Sequence, residues 1–518
     1  MKFFNTAGPC FPEDHYMLPA TERLEAFEIN RLIQKKQYFV VHAPRQTGKT
    51  TSMLSLAREL TESGRYISVV LSMEVGTPYS NQPLEAERNI ISEWEYSIRT
   101  QLPEELHPEA WKPDESDRNL INVFLSKWTL NASRPLVIFL DEIDALEDKA
   151  LIAALRQLRS GYYRRPKGFP LSLAVIGLRD VRDYKVKSGG KDRLNSPSPF
   201  NIAVRSITLR NFTEEEVNTL LRQHTNATGQ IFTPEAMAQI YHLSQGQPWL
   251  VNSLAALCVD ELVRDETQPI LLSHVNEAKE EIIQRRHTHL DSLADKLQEP
   301  RVRHVIEPLM AGHILQSVPR DDIDYVTDLG LVKQENGSGL LIANPIYKEV
   351  LPRELASVPQ SSLPSIQPTW LNTDGSLNPE KLLNAFLNFW RRHGQPLLES
   401  APYHEIAPHL VMMAFLHRVV NGEGWLDREY AIGMGRMDMC LYYRDLCMGM
   451  ELKVWRDGKK DPLNDGLEQL EGYLNGLGLE TGWLVIFDQR SGLPDISERT
   501  TTEMEVTPNG KTVTVIRA

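Results

Sequence analysis

Apolar residues along this chain follow two rhythms. QYFVVH (37–42), YISVVLS (66–72), LVIFL (136–140) and LSLAVIG (171–177) are continuous apolar runs, and each reads as a buried strand. Between them the spacing turns helical: Leu54, Leu56, Ala57 and Leu60 share one face, and residues 84–101 and 117–130 predict two more helices. Another helix is expected from Thr21 to about Lys36. Strands that are apolar throughout and alternate with helices predict a doubly wound α/β fold built on a parallel sheet.

The pattern changes after residue 210. FTEEEV opens a helix with a capping box, Thr213 with Glu216, and two further helices meet through Gln245, Gly246, Gln247 and Pro248. Residues 298–352 read helix, helix, hairpin, with NGSG as the turn. The segment ASVPQSSLPSIQPTW then breaks all periodicity. Beyond it come a helix from about Lys381 to Arg392 and two strands of period two, MDMCLYY and MELKVW. The expected organisation is a core over residues 1–210, a helical lid over 211–295 and a helix-helix-hairpin module over 296–355. A linker over 356–378 and a second α/β domain over 379–518 complete it.

At 518 residues the chain exceeds what one core can organise. Its net charge of −13 excludes a surface that is basic throughout and leaves room for a local groove. Cys10, Cys258, Cys440 and Cys447 show no CxxC pair and read as buried thiols of a reducing compartment. No apolar run reaches membrane-spanning length and no signal-peptide pattern opens the chain, so a cytoplasmic protein without a membrane partner is expected.

Chemistry first enters where the strand at 37–42 meets the following helix. Ala43, Pro44, Arg45, Gln46, Thr47, Gly48, Lys49 and Thr50 spell AxxxxGKT, followed by Thr51, with alanine where the pattern usually has glycine. Free amides at a helix start attract phosphate, a lysine reaches the β and γ oxygens, and the Thr50 hydroxyl can ligate Mg²⁺. The strand LVIFL ends in Asp141, Glu142, Ile143 and Asp144. Asp141 suits the magnesium's water shell and Glu142 the polarisation of an attacking water. Either motif alone also reads as a strand with a polar turn; the two together predict an ATP·Mg site.

The order of phosphate loop, DExD strand, FTxEEV and GQPWLVN resembles the ATPases of the AAA+/STAND class. That resemblance implies a helical lid with a GxP turn and a winged helix over 296–355. It implies assembly into homo-oligomers, with an arginine reaching a neighbour's nucleotide. Arg179, Arg205 and Arg210 are the candidates, and the sequence does not choose among them. His15 and Tyr16 are candidates for stacking on adenine or for plain aromatic packing. The loop from Arg182 to Arg193 carries five basic residues, either a polynucleotide path or a solvated loop. DDID at the start of the second helix of the winged-helix segment repels phosphate, which favours packing over DNA reading there.

The second chemistry lies in the C-terminal strands. In MELKVW, Met450, Leu452 and Val454 are expected to face the core, with Glu451 and Lys453 on the opposite side. If the two strands pair, Asp438, Glu451 and Lys453 converge, and two carboxylates with an ammonium can hold Mg²⁺ or Mn²⁺ and activate water. Gln469 and Tyr473 stand one helical turn apart, with Leu467, Leu470 and Leu474 turned inward. GRxD, ExK and QxxxY in this order resemble the PD-(D/E)XK nucleases, in particular their RecB-like branch. The resemblance implies a restriction-endonuclease-like α/β domain, with Asp438 and Glu451 as metal ligands and Lys453 as the water-activating cation. Gln469 and Tyr473 would then support the site. It makes Glu405 an additional metal ligand, a role that Glu429 also fits, and it departs from the family pattern in having Met437 before the aspartate.

The combined expectation is an ATPase that controls a metal-dependent nuclease acting on DNA. By analogy, such fusions suit defence against phage or other foreign DNA. The rival expectation is a signalling switch whose C-terminal fold binds without cutting.

Overall fold

The computed structural model describes residues 2–19, 21–24, 26–111, 114, 118–178, 202–285, 296–310, 318–335, 339–352, 368–400, 407–420, 424–431 and 436–518. The chain falls into two compact units, Met1–Arg285 with Thr327–Leu331 and Arg286–Val326 with Val332–Ala518.

In the first unit β1 (Tyr38–His42), β2 (Ile67–Ser72), β3 (Leu136–Asp141), β4 (Ser172–Gly177) and β5 (Ala203–Thr208) form one sheet in the order β2-β3-β4-β1-β5. Every pairing is parallel. The unbroken apolar runs have a direct cause: successive residues serve two cores. Tyr38 and Val40 pack among Ile90, Trp94 and Phe124, whereas Phe39 and Val41 pack among Ile29, Ile33, Leu56 and Leu60. The first core belongs to α3 (Pro83–Gln101), α4 (Leu120–Asn131) and α5 (Asp148–Gly161), the second to α1 (Ala26–Gln34) and α2 (Lys49–Glu62). The doubly wound sheet expected from the sequence is present. The predicted opening helix, Thr21 to Lys36, is instead a 3-10 turn at Glu22–Leu24 followed by α1. The edge strand β5 gave no apolar run, because Val204 and Arg205 are exposed and Ile207 is its buried anchor.

Four helices follow, α6 (Glu214–Thr228), α7 (Pro234–Ser244), α8 (Pro248–Ala256) and α9 (Leu272–Gln284). Thr213 and Glu216 form the predicted capping box. The turn between α7 and α8 requires its glycine: Gly246 has φ +71°, and a Cβ there would lie 1.9 Å from the Phe212 carbonyl oxygen. The Phe212 N–H in turn donates to the Gly246 carbonyl at 2.8 Å, which ties the α7–α8 turn to the segment leading into α6.

Downstream come α10 (Pro300–Met310), α11 (Arg320–Asp328) and an antiparallel hairpin of β6 (Val332–Glu335) and β7 (Gly339–Ile342). Of the predicted turn, Asn336, Gly337 and Ser338 lie outside the described residues.

The C-terminal part begins with α12 (Pro379–Ser400) and α13 (Ala407–Val420), then β8 (Gly424–Ala431), β9 (Arg436–Tyr443) and β10 (Leu446–Trp455). α14 (Leu463–Leu477), β11 (Thr481–Asp488), α15 (Ile496–Arg499), β12 (Thr501–Val506) and β13 (Thr512–Arg517) complete it. The six strands form one mixed sheet, β12-β13-β11-β10-β9-β8, antiparallel at both ends and parallel from β10 through β11 to β13. One face takes α12 and α13, with Trp390 against Phe487 and Phe386 against Phe415. α14 lies on the other, with Leu467, Leu470 and Leu474 packed on Leu484, Ile486, Val513 and Val515.

That second layer corrects the expectation of a single core face on β10. Met450 and Leu452 are fully buried, but Glu451 is 0% exposed and Lys453 6%. Their register partners Leu484 and Ile486 form the floor on which α14 sits, so the charged face is roofed and not solvated. The cysteines also differ from isolated buried thiols: Cys440 Sγ lies 2.7 Å from Cys447 Sγ.

Candidate functional site

The phosphate loop is shaped by two backbone positions that favour the left-handed region. Gln46 has φ +57° and Gly48 φ +83°, so the chain reverses and enters α2 with its first amides free. Lys49 Nζ donates to the carbonyls of Ala43 and Pro44, each at 2.8 Å. Burial lowers its pKa, and the charges of Asp144 and Asp141 oppose that shift. Thr47 Oγ1 donates back to the Pro44 carbonyl at 2.8 Å, which stiffens the loop.

Parallel pairing delivers the acids. β3 lies two strands from β1, and Asp141 at its carboxyl end accepts from Thr50 Oγ1 at 2.7 Å and from the Glu142 N–H at 2.9 Å. Asp141 is buried, and that burial raises its pKa against the pull of Thr50. Glu142 stands at φ +55°, turned out of the strand direction. The residue as a whole is exposed, yet its carboxyl group is partly desolvated, shares a hydrogen bond with Glu74 and faces Asp141 and Asp144. Burial first and Glu74 second push its pKa up to about 7.

Beside the loop lies a largely apolar cleft. Tyr16 and Leu18 of the lead-in, Thr51 of α2, Phe212, and Pro248 and Asn252 of α8 line it. Tyr16 is therefore at the cleft, whereas His15 is engaged elsewhere: its Nδ1 accepts the Phe11 N–H at 2.8 Å and its ring meets Phe3 edge-on. Of two residues here, Arg23 was not singled out from the sequence, and Gln247 was named only as part of the turn that joins two helices. The buried Arg23 lies over the Phe212 ring, donates to the Thr47 carbonyl at 2.8 Å and to the Arg210 carbonyl at 3.0 Å, and desolvation lowers its pKa to about 10. Gln247 caps α8 through the Leu250 N–H at 2.6 Å and reaches the Gln46 carbonyl at 3.4 Å. A lone arginine in a short helical turn carries no sequence signal, whereas Pro248 at the first position of α8 marks the residue before it as the cap.

Among the arginine candidates, Arg205 pairs with Glu28, and Arg210 pairs with Glu216 at 2.6 Å. Arg179 and the basic segment from Arg182 to Arg193 lie outside the described residues.

In the second unit β9 and β10 pair antiparallel with Asp438 directly opposite Glu451. Directly opposed positions place their Cβ atoms about 4.5–5.5 Å apart. The side chains of Asp438 and Glu429 are not among those described, and Glu405 lies outside the described residues altogether. Glu451 forms an ion pair with Lys453, whose Nζ also donates to Gln469 Oε1 from α14. Beyond that ion pair, neither Glu451 oxygen receives a hydrogen bond of sound geometry among the described residues. A fully buried carboxylate whose charged partner among the described residues is one ammonium is costly in a protein interior, and among the described residues no group of three or more His, Cys, Asp or Glu is placed to hold a metal ion. His409 on α13 is likewise buried, with neither ring nitrogen hydrogen-bonded among the described residues, and burial, with Lys453 and Arg456 adding to it, lowers its pKa to about 3.

A family model described as an AAA-like domain matches residues 19–351, more than half of the chain. The chain belongs to the AAA-like domain family. This AAA-like protein is accordingly an ATP-binding P-loop ATPase. Among solved structures it is similar to a Walker-type ATPase of Pyrococcus abyssi at 11% identity, covering 67% of this chain and 99% of that one, with a TM-score of 0.48. The Holliday junction branch migration motor RuvB of Thermotoga maritima is similar at 14% identity, covering 63% and 92%, with a TM-score of 0.34. Cdc6p of Pyrobaculum aerophilum is similar at 14%, covering 64% and 92%, with a TM-score of 0.35. No curated protein matches. The family match ends before the C-terminal mixed sheet of the AAA-like protein begins. Among the described residues no helix is long and apolar enough to cross a membrane.

Proposed function

We propose that this AAA-like ATPase governs a divalent-metal-dependent nuclease formed by its C-terminal sheet, with DNA as the substrate. The observation that carries the reading is the register of Asp438 against Glu451, beside a buried Glu451 carboxylate that receives no sound hydrogen bond among the described residues. Asp438 and Glu451 would hold Mg²⁺ or Mn²⁺, with Glu405 as a further acid. Once bound, that ion supplies charge stabilisation at the scissile phosphate. Lys453, fixed between Glu451 and Gln469, presents an ammonium that orients the attacking water. Gln469 acts through Lys453 and is a positioning residue, and Tyr473 one turn along α14 supports the same wall.

In the ATPase the loop from Ala43 to Thr51 cradles the triphosphate, Thr50 and Asp141 hold Mg²⁺, and Glu142 polarises the attacking water. Arg205 and Arg210 are engaged within their own chain, which leaves Arg179 to reach the nucleotide of a neighbouring copy in a homo-oligomer. By analogy, a nuclease governed in this way suits the destruction of foreign DNA.

The test uses the purified chain with supercoiled plasmid, linear duplex and single-stranded DNA, with Mg²⁺, Mn²⁺ or EDTA, and with or without ATP. Cleavage that needs the divalent ion and changes several-fold with ATP is expected. A chain inert toward all three substrates under every condition overturns the nuclease reading and leaves a binding module in its place.

The pH profile of ATP hydrolysis tests Glu142 separately. Only the ionised carboxylate can polarise water, and its pKa is pushed up to about 7. The rate should climb about tenfold per pH unit below that point and level off above it. Glu142→Gln should remove both the hydrolysis and the slope.

A further inference from the structure

On the ATPase unit, away from the nucleotide site, α5 and the turn after it read RQLRSGYYRRPK, with five arginines and lysines and no acid from residue 156 to 167. In a chain of net charge −13 this window stands out. Arg156 and Arg159 project from α5 one turn apart and are both exposed. Among the described residues no carboxylate or hydrogen bond engages either guanidinium, nor the ammonium of Lys167. Arg156, Arg159, Tyr163 and Arg164 line one groove, and Arg156 with Ser160 also lines the groove next to it. The acid in the floor of that second groove, Glu87, is buried and spent inward: it accepts from the Leu120 N–H at 2.7 Å and from Gln157 Nε2 at 2.6 Å. Arg164 is held in place by Asn122 at 2.6 Å, and Tyr163 stands 83% exposed at the groove's end.

Unpaired guanidinia one helical turn apart fit successive phosphates, and an exposed ring beside them fits an unstacked base. A chain of this charge has little use for such a strip unless a polyanion neutralises it. We propose that this groove binds the backbone of single-stranded DNA, with Arg156 and Arg159 on phosphates and Tyr163 stacked on a base. The proposal rests on DNA being the partner of this chain and adds a second place where the chain holds it.

The experiment measures anisotropy of a labelled single-stranded oligonucleotide with the full chain in EDTA, so that binding is read without cleavage. Arg156→Glu with Arg159→Glu should weaken binding at least tenfold. Neutral glutamines at both positions should weaken it less and lower the slope of log affinity against log salt by about 1.4, two phosphates at ~0.7 each. Tyr163→Ala should cost at least about fivefold in affinity and leave the slope unchanged. All three variants should hydrolyse ATP as the wild type does. Unchanged oligonucleotide affinity and slope in the charge variants overturn the proposal. So does lost binding to anionic phosphatidylglycerol vesicles with DNA affinity intact, which marks a membrane surface. Lost ATP hydrolysis with DNA affinity intact marks a contact between copies and overturns it as well. Binding is read without divalent ion, so a wild type that binds here and yet cuts nothing with Mg²⁺ or Mn²⁺ refutes the nuclease and not this groove.

Discussion

Glu451→Gln is expected to lower DNA cleavage by about 10²–10³-fold, a loss comparable to removal of one preorganised charge-stabilising group. The reasoning starts from burial. Glu451 is inaccessible on β10, and among the described residues its oxygens receive no sound hydrogen bond and its charged partner is Lys453. In that variant Lys453 keeps Gln469 but loses its buried ion pair with Glu451, so the single substitution should also destabilise the C-terminal unit by about 3–5 kcal/mol. The informative variant is the double one, Glu451→Leu with Lys453→Met, which puts apolar side chains of similar volume in place of both charges. Removing both members of a buried ion pair is often neutral or stabilising by about 1–4 kcal/mol, so urea unfolding should return to or exceed wild type while cleavage stays absent. A Mg²⁺-dependent rise in the melting temperature of the wild type should vanish in both variants. Wild-type cleavage by Glu451→Gln would end the assignment of this carboxylate to the metal.

How far these features were legible in the sequence depends on whether they are local. The parallel sheet was, because each of its inner strands is covered on both faces and is written as an unbroken apolar run. The capping box at Thr213 was, because both partners lie within four residues. β5 was not, since an edge strand with one buried anchor looks like a loop. The alternation in MELKVW correctly separated Met450 and Leu452 from Glu451 and Lys453. It could not say that the polar face would be roofed, because the roof, α14, adds its leucines from a helix whose docking is long-range. The same holds for Arg23, whose partners Thr47 and Arg210 are distant in the chain. Sequence patterns record what a residue's own element demands; the burial of charge records what another element brings to it.

Lys49→Ala should abolish ATP hydrolysis and weaken ATP binding by two orders of magnitude or more, about 3 kcal/mol at tenfold per 1.4. In the wild type the ammonium sits inside the loop, shared by the Ala43 and Pro44 carbonyls, and its charge is held against burial by Asp144 and Asp141. Alanine removes the partly buried cation of the cradle, with Arg45 still exposed in the loop, and leaves α2 otherwise intact, since alanine has the highest helix propensity. The consequence for the second unit separates two ways in which an ATPase can govern it. If ATP binding sets the state of the nuclease, Lys49→Ala should fix cleavage at the level seen without nucleotide, whatever the ATP concentration. Glu142→Gln, which keeps the cradle and loses the water-polarising carboxylate, should then fix it at the ATP-bound level. If turnover sets the state, both variants should behave alike. Cleavage by Lys49→Ala that still responds to ATP as the wild type does would sever the link between the two chemistries, because no other group in the loop can replace an ammonium between two carbonyls and two acids.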